Sequence, residues 1–340
     1  MKAVAYQHSL AVDKPNSLID IELDKPVPTS RDLLVNVEAI SVNPVDYKIR
    51  QNVDPQGDNK ILGWDAVGTV VEVGEEVSLF KIGDKVYYAG DINRSGTNAE
   101  YQLVDERIVG HKPATLNNAE AAALPLTTIT AWELLFERLN IKQHQDKSAT
   151  SRPVLLVVGA SGGVGSILIQ LAKQLTNAIV IGTASRPETQ AWVQSLGADY
   201  VIDHNKDLKT QIEVLNIAEV SHVACLTHSH QHLPALAELL KPQGKLAIIE
   251  FAGASFDIGL LKTKSISLHW EFMFTRAMYT TDDMREQHTL LDKVAVLIDE
   301  GKLRTTVGKH MGKINAENLR AAHKISESNQ AIGKIVLEGF

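Results

Sequence analysis

An apolar run at 154–158, VLLVV, passes straight into a glycine-rich turn, GASGGVG at 159–165, and then into an apolar-periodic segment at 167–175. Strand, tight turn and helix in that order open a βαβ unit of the dinucleotide-binding kind. The glycines have separate jobs. Gly162 lets the backbone approach a pyrophosphate, and Gly165 lets the helix pack closely on its strand. The unpaired N–H groups and positive dipole end of the helix then face the phosphates. In the GxGxxG register the first glycine is Ala160. A purely structural strand–helix turn has the same look, but the legible strand before it and helix after it favour a cofactor. Ala160, Ser161, Gly162, Gly163, Val164 and Gly165 form the expected cradle.

The turn sits in the middle of 340 residues, more than a single core usually supports. Two domains are expected, with the first and last segments folding together around an inserted nucleotide domain. A net charge of −7 and the lack of any basic run argue against a nucleic-acid partner. The start, MKAVAYQHSL, reads as a strand and not as a charged-then-apolar leader, and no apolar run is long enough to span a membrane. Cys225 is the single cysteine, which excludes an internal disulfide framework and a cysteine-rich zinc site. The expectation is a soluble cytoplasmic protein.

Residues 1–125 read as strand-rich and proline-punctuated, with strands at 33–42 and 66–74 and a turn and strand within 81–90. From about 119 a helix, a proline interruption and a second helix around 130–139 lead to a polar connector at 140–152. Strand patterns at 154–158, 178–183, 200–202, 222–226, 245–250 and 265–270 then alternate with helical patterns at 164–175, 187–196, 206–216 and 230–241. Such alternation means a parallel sheet covered by helices on both faces. An amphipathic helix at 283–301, a helix at 316–329 and a strand at 333–337 complete the chain.

Four ordered motifs now stand together: GWDAVGTVVEVGEEV (63–77) with KIGDKV (81–86), AAALPLTTITAW (121–132), GASGGVG (159–165) and LGADYVID (196–203). On them the whole chain resembles the medium-chain dehydrogenase/reductase superfamily, in its quinone oxidoreductase-like branch. The resemblance implies an α/β architecture: a Rossmann doubly wound parallel-sheet domain, 126–265, inserted in a GroES-like, mainly β catalytic domain made of 1–125 and 266–340. It implies a homodimer through the strand at 265–270, and a small-molecule substrate.

The zinc-dependent alcohol dehydrogenases of that superfamily hold catalytic zinc with a cysteine, a histidine–glutamate pair and a later cysteine or carboxylate. The matching places here hold Asn43, Trp64–Asp65 and Leu126, and tryptophan and leucine offer zinc no lone pair. No metal is expected. His228, His230 and His232 are a possible three-histidine set on an extended loop, but a polar loop and helix start is the preferred reading.

Cofactor choice is read after the second strand of the nucleotide unit, where an NAD enzyme places an acid to hold the ribose 2′-OH. Here Ser185 and Arg186 follow instead, a hydroxyl and a guanidinium suited to a 2′-phosphate, so NADPH is expected. The resemblance adds His204 near that phosphate, Thr130, Phe251 and Ala252 near the nicotinamide, and Asn329 and Lys334 as polar or basic groups toward the phosphates. It also assigns Asn43, Asp46 and Tyr47 to the substrate-side loop. Asn43 would donate to the substrate oxygen and Tyr47 would stack on it or relay a proton, with Asp46 either chemical or ordering the loop. Without zinc to polarise a carbonyl, the implied reaction is NADPH-dependent hydride transfer to a quinone or an α,β-unsaturated carbonyl. A zinc-dependent alcohol dehydrogenase and a non-catalytic NADPH-binding relative remain as alternatives.

Overall fold

A computed structural model describes residues 1–144, 152–250 and 256–340. The chain packs as two units. One comprises Met1–Ile129 with Phe274–Phe340, the other Thr130–Met273.

The first unit is organised by one long strand, Asp32–Val42, whose Leu33, Leu34, Val35, Val37, Ala39 and Ile40 are buried. It pairs antiparallel with Ala66–Val73, with Tyr101–Asp105 and with the terminal strand Lys334–Glu338. The last pairing joins the two ends of the chain in a single seven-stranded sheet. An insertion in mid-chain requires such closure, because the segments on either side must find each other to bury a common core.

One element departs from the sequence reading. The segment 44–52, read as part of a substrate-side loop, is the helix Pro44–Asn52. Its start carries a legible signature: Asn43 as N-cap, proline at the first helical position, and Asp46 reaching back to the Asn43 N–H. The helix expected around 130–139 forms as Pro125–Trp132 running into a π-helical turn, Glu133–Arg138.

The second unit is a six-stranded parallel sheet. Its spatial order is Tyr200–Ile202, Ile179–Thr183, Val154–Val158, Val220–Cys225, Leu240–Ile248 and Ser267–Trp270. In chain order that is third, second, first, fourth, fifth, sixth, the doubly wound arrangement that reverses direction beside its first strand. Val154–Val158 is an unbroken apolar run because it is covered on both faces. Leu156 and Val158 pack with Ile181, Val223, Cys225 and Ile248, while the alternating Leu155 and Val157 are equally buried. Ser267–Trp270 hydrogen-bonds in parallel with Leu240–Ile248 and extends this sheet, within the unit that runs to Met273.

Candidate functional site

The glycine turn shows two different uses of a missing side chain. The helix after it is Gly163–Leu175, thirteen residues long, and Gly162 is its N-cap. A Cβ on Gly165 would stand 2.6 Å from the Ala160 Cα and carbonyl oxygen, so glycine there is what lets helix and turn touch. Gly162 is the opposite case. Its φ of −76° suits any residue, and a Cβ there would meet nothing nearer than the Gly159 carbonyl oxygen at 3.6 Å. The fold itself does not require glycine at 162. The first N–H groups of a helix lack intrahelical acceptors, and the glycine N-cap has no side chain with which to cap these. A bare N-cap beside uncapped N–H groups fits the close approach of a pyrophosphate.

The neighbouring strand end is tied to this turn: the Gly159 N–H donates to Thr183 Oγ1 at 3.2 Å. Ser185 and Arg186 follow Thr183, both half-buried. The Arg186 guanidinium lies 3.2 Å from Glu188 in a largely solvated ion pair, the kind that contributes little and is readily exchanged for a better anion. His204 is half-buried, with its ring centroid 6.4 Å from that of His232. Thr130 is buried in Pro125–Trp132, and Phe251 and Ala252 lie outside the described residues. Asn329 is exposed beyond the helix Ala316–Glu327, far in sequence from the cradle and in the other unit.

In the first unit, sheet register assembles a second set of residues. Val42 pairs with Ile335 and Ile40 with Ala66, which brings Lys334 beside Asn43 and Asp65 beside Ser41. Asp65 Oδ2 accepts from Ser41 Oγ at 2.7 Å, Asn43 Nδ2 at 2.8 Å and Lys334 Nζ at 2.9 Å. Its Oδ1 accepts from the Leu126 N–H at 2.8 Å, near the start of the helix Pro125–Trp132. Lys334 Nζ also donates to Asn43 Oδ1. The Asp65 side chain is fully buried and that of Lys334 is 3% exposed.

Asp46 lies one turn away. Its Oδ2 accepts from the Asn43 N–H, and its Oδ1 is equally buried, with the Gly63 N–H nearby as a further influence on the carboxyl. Burial pushes its carboxyl up to about 7, against the opposing pull of the Asn43 N–H and the Lys334 ammonium. Tyr47, half-buried, follows on the same helix.

Comparison with known proteins bears on both sets. Residues 29–114 match the alcohol dehydrogenase GroES-like domain, and residues 196–337 match the zinc-binding dehydrogenase model. The chain is 38% identical over 338 residues to a zinc-type alcohol dehydrogenase-like protein of Staphylococcus epidermidis, covering 99% of each. The chain belongs to the medium-chain dehydrogenase/reductase superfamily. A solved structure of the zinc-dependent alcohol dehydrogenase type from Rhizobium etli superposes on this dehydrogenase/reductase with a TM-score of 0.96 at 52% identity, covering 100% of this chain and 98% of that one. A 2-methylene-furan-3-one reductase of Solanum lycopersicum is 36% identical over 220 residues, 61% of this chain and 53% of its own length. This dehydrogenase/reductase is an oxidoreductase whose second unit has the superfamily's nucleotide-binding fold.

The zinc in those names does not suit the residues present. Asn43 Oδ1 and Asp65 Oδ2 already accept from an ammonium, and Leu126 contributes only its backbone. Trp64 is buried, donating through its indole to the Asp91 carbonyl at 3.3 Å and meeting Phe274 edge-on at 6.1 Å. One carboxylate, saturated with hydrogen bonds, is a poor donor set for a divalent ion that takes four ligands. Among the described residues no other cluster of histidine, cysteine and carboxylate is arranged for a metal either. His230 and His232 lie on the helix Ser229–Leu239 with His228 as its N-cap, so alternate residues diverge instead of projecting together.

Two of the residues singled out in the sequence bond to each other. Lys334, expected near a cofactor phosphate, is buried and bonded to Asn43 and Asp65. Asn43, expected to donate to a substrate oxygen, is 1% exposed with its carbonyl oxygen on Lys334 and an amide hydrogen on Asp65. Sequence reasoning also missed a buried acid pair in the second unit. Arg138 Nε donates to Glu271 Oε2 at 2.8 Å, and the Glu133 carboxylate lies 3.8 Å from the same guanidinium. Burial, reinforced by Glu133 and opposed by Arg138, raises the Glu271 carboxyl above the usual range. The only signal was an acid inside the aromatic stretch HWEFMF at 269–274.

Proposed function

We propose that this chain is an NADPH-dependent, metal-free reductase that delivers hydride to a quinone or an α,β-unsaturated carbonyl. The observation that carries the reading is Gly162, bare at a helix N-terminus where the fold has no need of glycine. When bound, the reduced nicotinamide supplies the hydride. The N–H groups of Gly163 and Val164 hold the pyrophosphate, with Ala160 and Gly165 keeping the turn tight. Ser185 and Arg186, with His204 nearby, receive the 2′-phosphate that an aspartate would repel. Thr130 borders the nicotinamide.

The Lys334–Asp65 pair supports that substrate class. With the pair closed these residues do not offer a metal a place from which to polarise a simple carbonyl, which favours an acceptor that is already electrophilic. The name of the tomato relative, a reductase of an enone, supports the same class. Tyr47 hydrogen-bonds the substrate oxygen, and Asp46 orders the turn through the Asn43 N–H. The working form is a cytoplasmic homodimer paired along Ser267–Trp270, the outer strand of its sheet, beside which Trp270 and Phe272 are exposed.

The test is NADPH and NADH oxidation across quinones, enones and saturated aldehydes, with and without a chelator. Turnover of quinones or enones with NADPH, unchanged by chelator, is expected. Turnover confined to aldehydes, or abolished by chelator, overturns the proposal.

A further inference from the structure

We propose that Lys334 is a positioning residue, a cation built into the chain that holds the turn at 43–46 and the start of the helix Pro125–Trp132 at positions that zinc-dependent relatives give to metal ligands. Three observations converge on it. Asp65 is a fully buried carboxylate, and a buried charge of that kind is costly unless paired and hydrogen-bonded. Lys334 is the cation in contact with it, and it arrives from 269 residues away on the terminal strand that closes the sheet.

The ammonium does more than neutralise. By donating to Asn43 Oδ1 as well as Asp65 Oδ2, it fixes the amide of Asn43, whose own Nδ2 returns to Asp65. The Asn43 backbone N–H is in turn held by Asp46, so the helix carrying Tyr47 starts from a side chain that Lys334 orients. Asp65 Oδ1 fixes the Leu126 N–H on the other side. A single ammonium therefore sets two helix starts, as a metal ion orients its ligands, yet it offers a substrate no open coordination position.

A double-mutant cycle with Lys334→Met and Asp65→Asn tests the pairing. Each single change is expected to lower Tm by more than about 5 °C, and the double variant to regain at least about half of that loss, because the two buried groups interact directly. Hydrogen exchange in Lys334→Met should quicken at 43–47 and 126–128 and stay unchanged at 163–172. In turnover assays its kcat should fall about tenfold or more while KM for NADPH changes less than about twofold, since uniform binding is untouched. Lys334→Arg, which keeps the charge, should recover part of both losses.

Only the kinetic readout rests on the proposed reduction. A wild-type protein that reduces no acceptor sinks that proposal, while the melting cycle and exchange map still decide the role of Lys334. If Lys334→Met does not fold, Lys334→Arg takes its place in the cycle and in the exchange and kinetic comparisons, with smaller losses expected in each. Purely additive losses in the cycle, or an unchanged exchange pattern together with unchanged kcat, overturn the inference.

Discussion

A Cβ placed on Gly165 would lie 2.6 Å from the Ala160 Cα, whereas one on Gly162, three residues earlier, would meet only the Gly159 oxygen at 3.6 Å. The two glycines of one motif thus answer to different demands, and mutation separates them. Gly165→Ala is expected to lower Tm sharply, because the contact is with backbone that cannot step aside. Gly162→Ala should leave Tm within about 2 °C, its φ being ordinary, and weaken NADPH binding by about tenfold or more. Thermal melts and a fluorescence titration decide; equal NADPH affinity in Gly162→Ala would remove the basis for the cradle.

Arg186 should govern the choice between the two nicotinamide cofactors. Losing a charge-assisted contact costs about 1.5–3 kcal/mol, so Arg186→Ala should raise KM for NADPH about 10- to 100-fold and leave KM for NADH nearly unchanged. Parallel loss with both cofactors would mean that Arg186 serves the fold.

Asp46 predicts a stability that declines as pH rises. Its carboxyl is raised from the ordinary 3.8 to about 7, so across that window the folded chain holds a proton that the unfolded chain has released. The contribution is therefore most favourable below 3.8, falls through the window and levels off above it. Asp46→Asn keeps an acceptor for the Asn43 N–H and removes the titration. Its Tm minus that of wild type should climb between pH 4 and pH 7.5, and a flat difference would place the carboxylate in a wetter setting than this one.

His323 predicts the reverse slope. It is fully buried with neither ring nitrogen hydrogen-bonded among the described residues, and burial, aided by the Arg50 guanidinium, lowers it from 6.5 to about 3. The unfolded chain binds a proton that the folded chain refuses, so stability is intact above 6.5 and is lost as pH falls toward 3. His323→Leu should melt progressively higher than wild type as pH drops from 6.5 to 4.5, relative to their difference at pH 8. If the two curves run parallel, this imidazole is not neutral in the folded chain.

Much of the framework was legible because it is written in local pattern. The run at 154–158 and the alternating segments after it announce a parallel sheet, since strands covered on both faces must be apolar throughout. The close approach at Gly165 follows from residue type alone. The helix Pro44–Asn52 was readable too, from Asn43, Pro44 and Asp46 in cap spacing, but an expectation of a loop hid it. Glu271 was obscured differently: nothing near it in sequence announces Glu133, or Arg138, which reaches it across 133 residues.

The sequence by itself determined that a dinucleotide-type turn opens a mid-chain α/β unit, and that Asn43, Trp64 and Leu126 leave no zinc ligand set. Those conclusions need only residue chemistry and periodicities of two and 3.6. Only the tertiary structure decided what those residues bind instead. Lys334 reads in sequence as a basic group free to reach a phosphate, and the antiparallel register between Lys334–Glu338 and Asp32–Val42 turns it inward onto Asp65. Register is a property of two distant strands meeting, and a buried charge finds its partner only when they do.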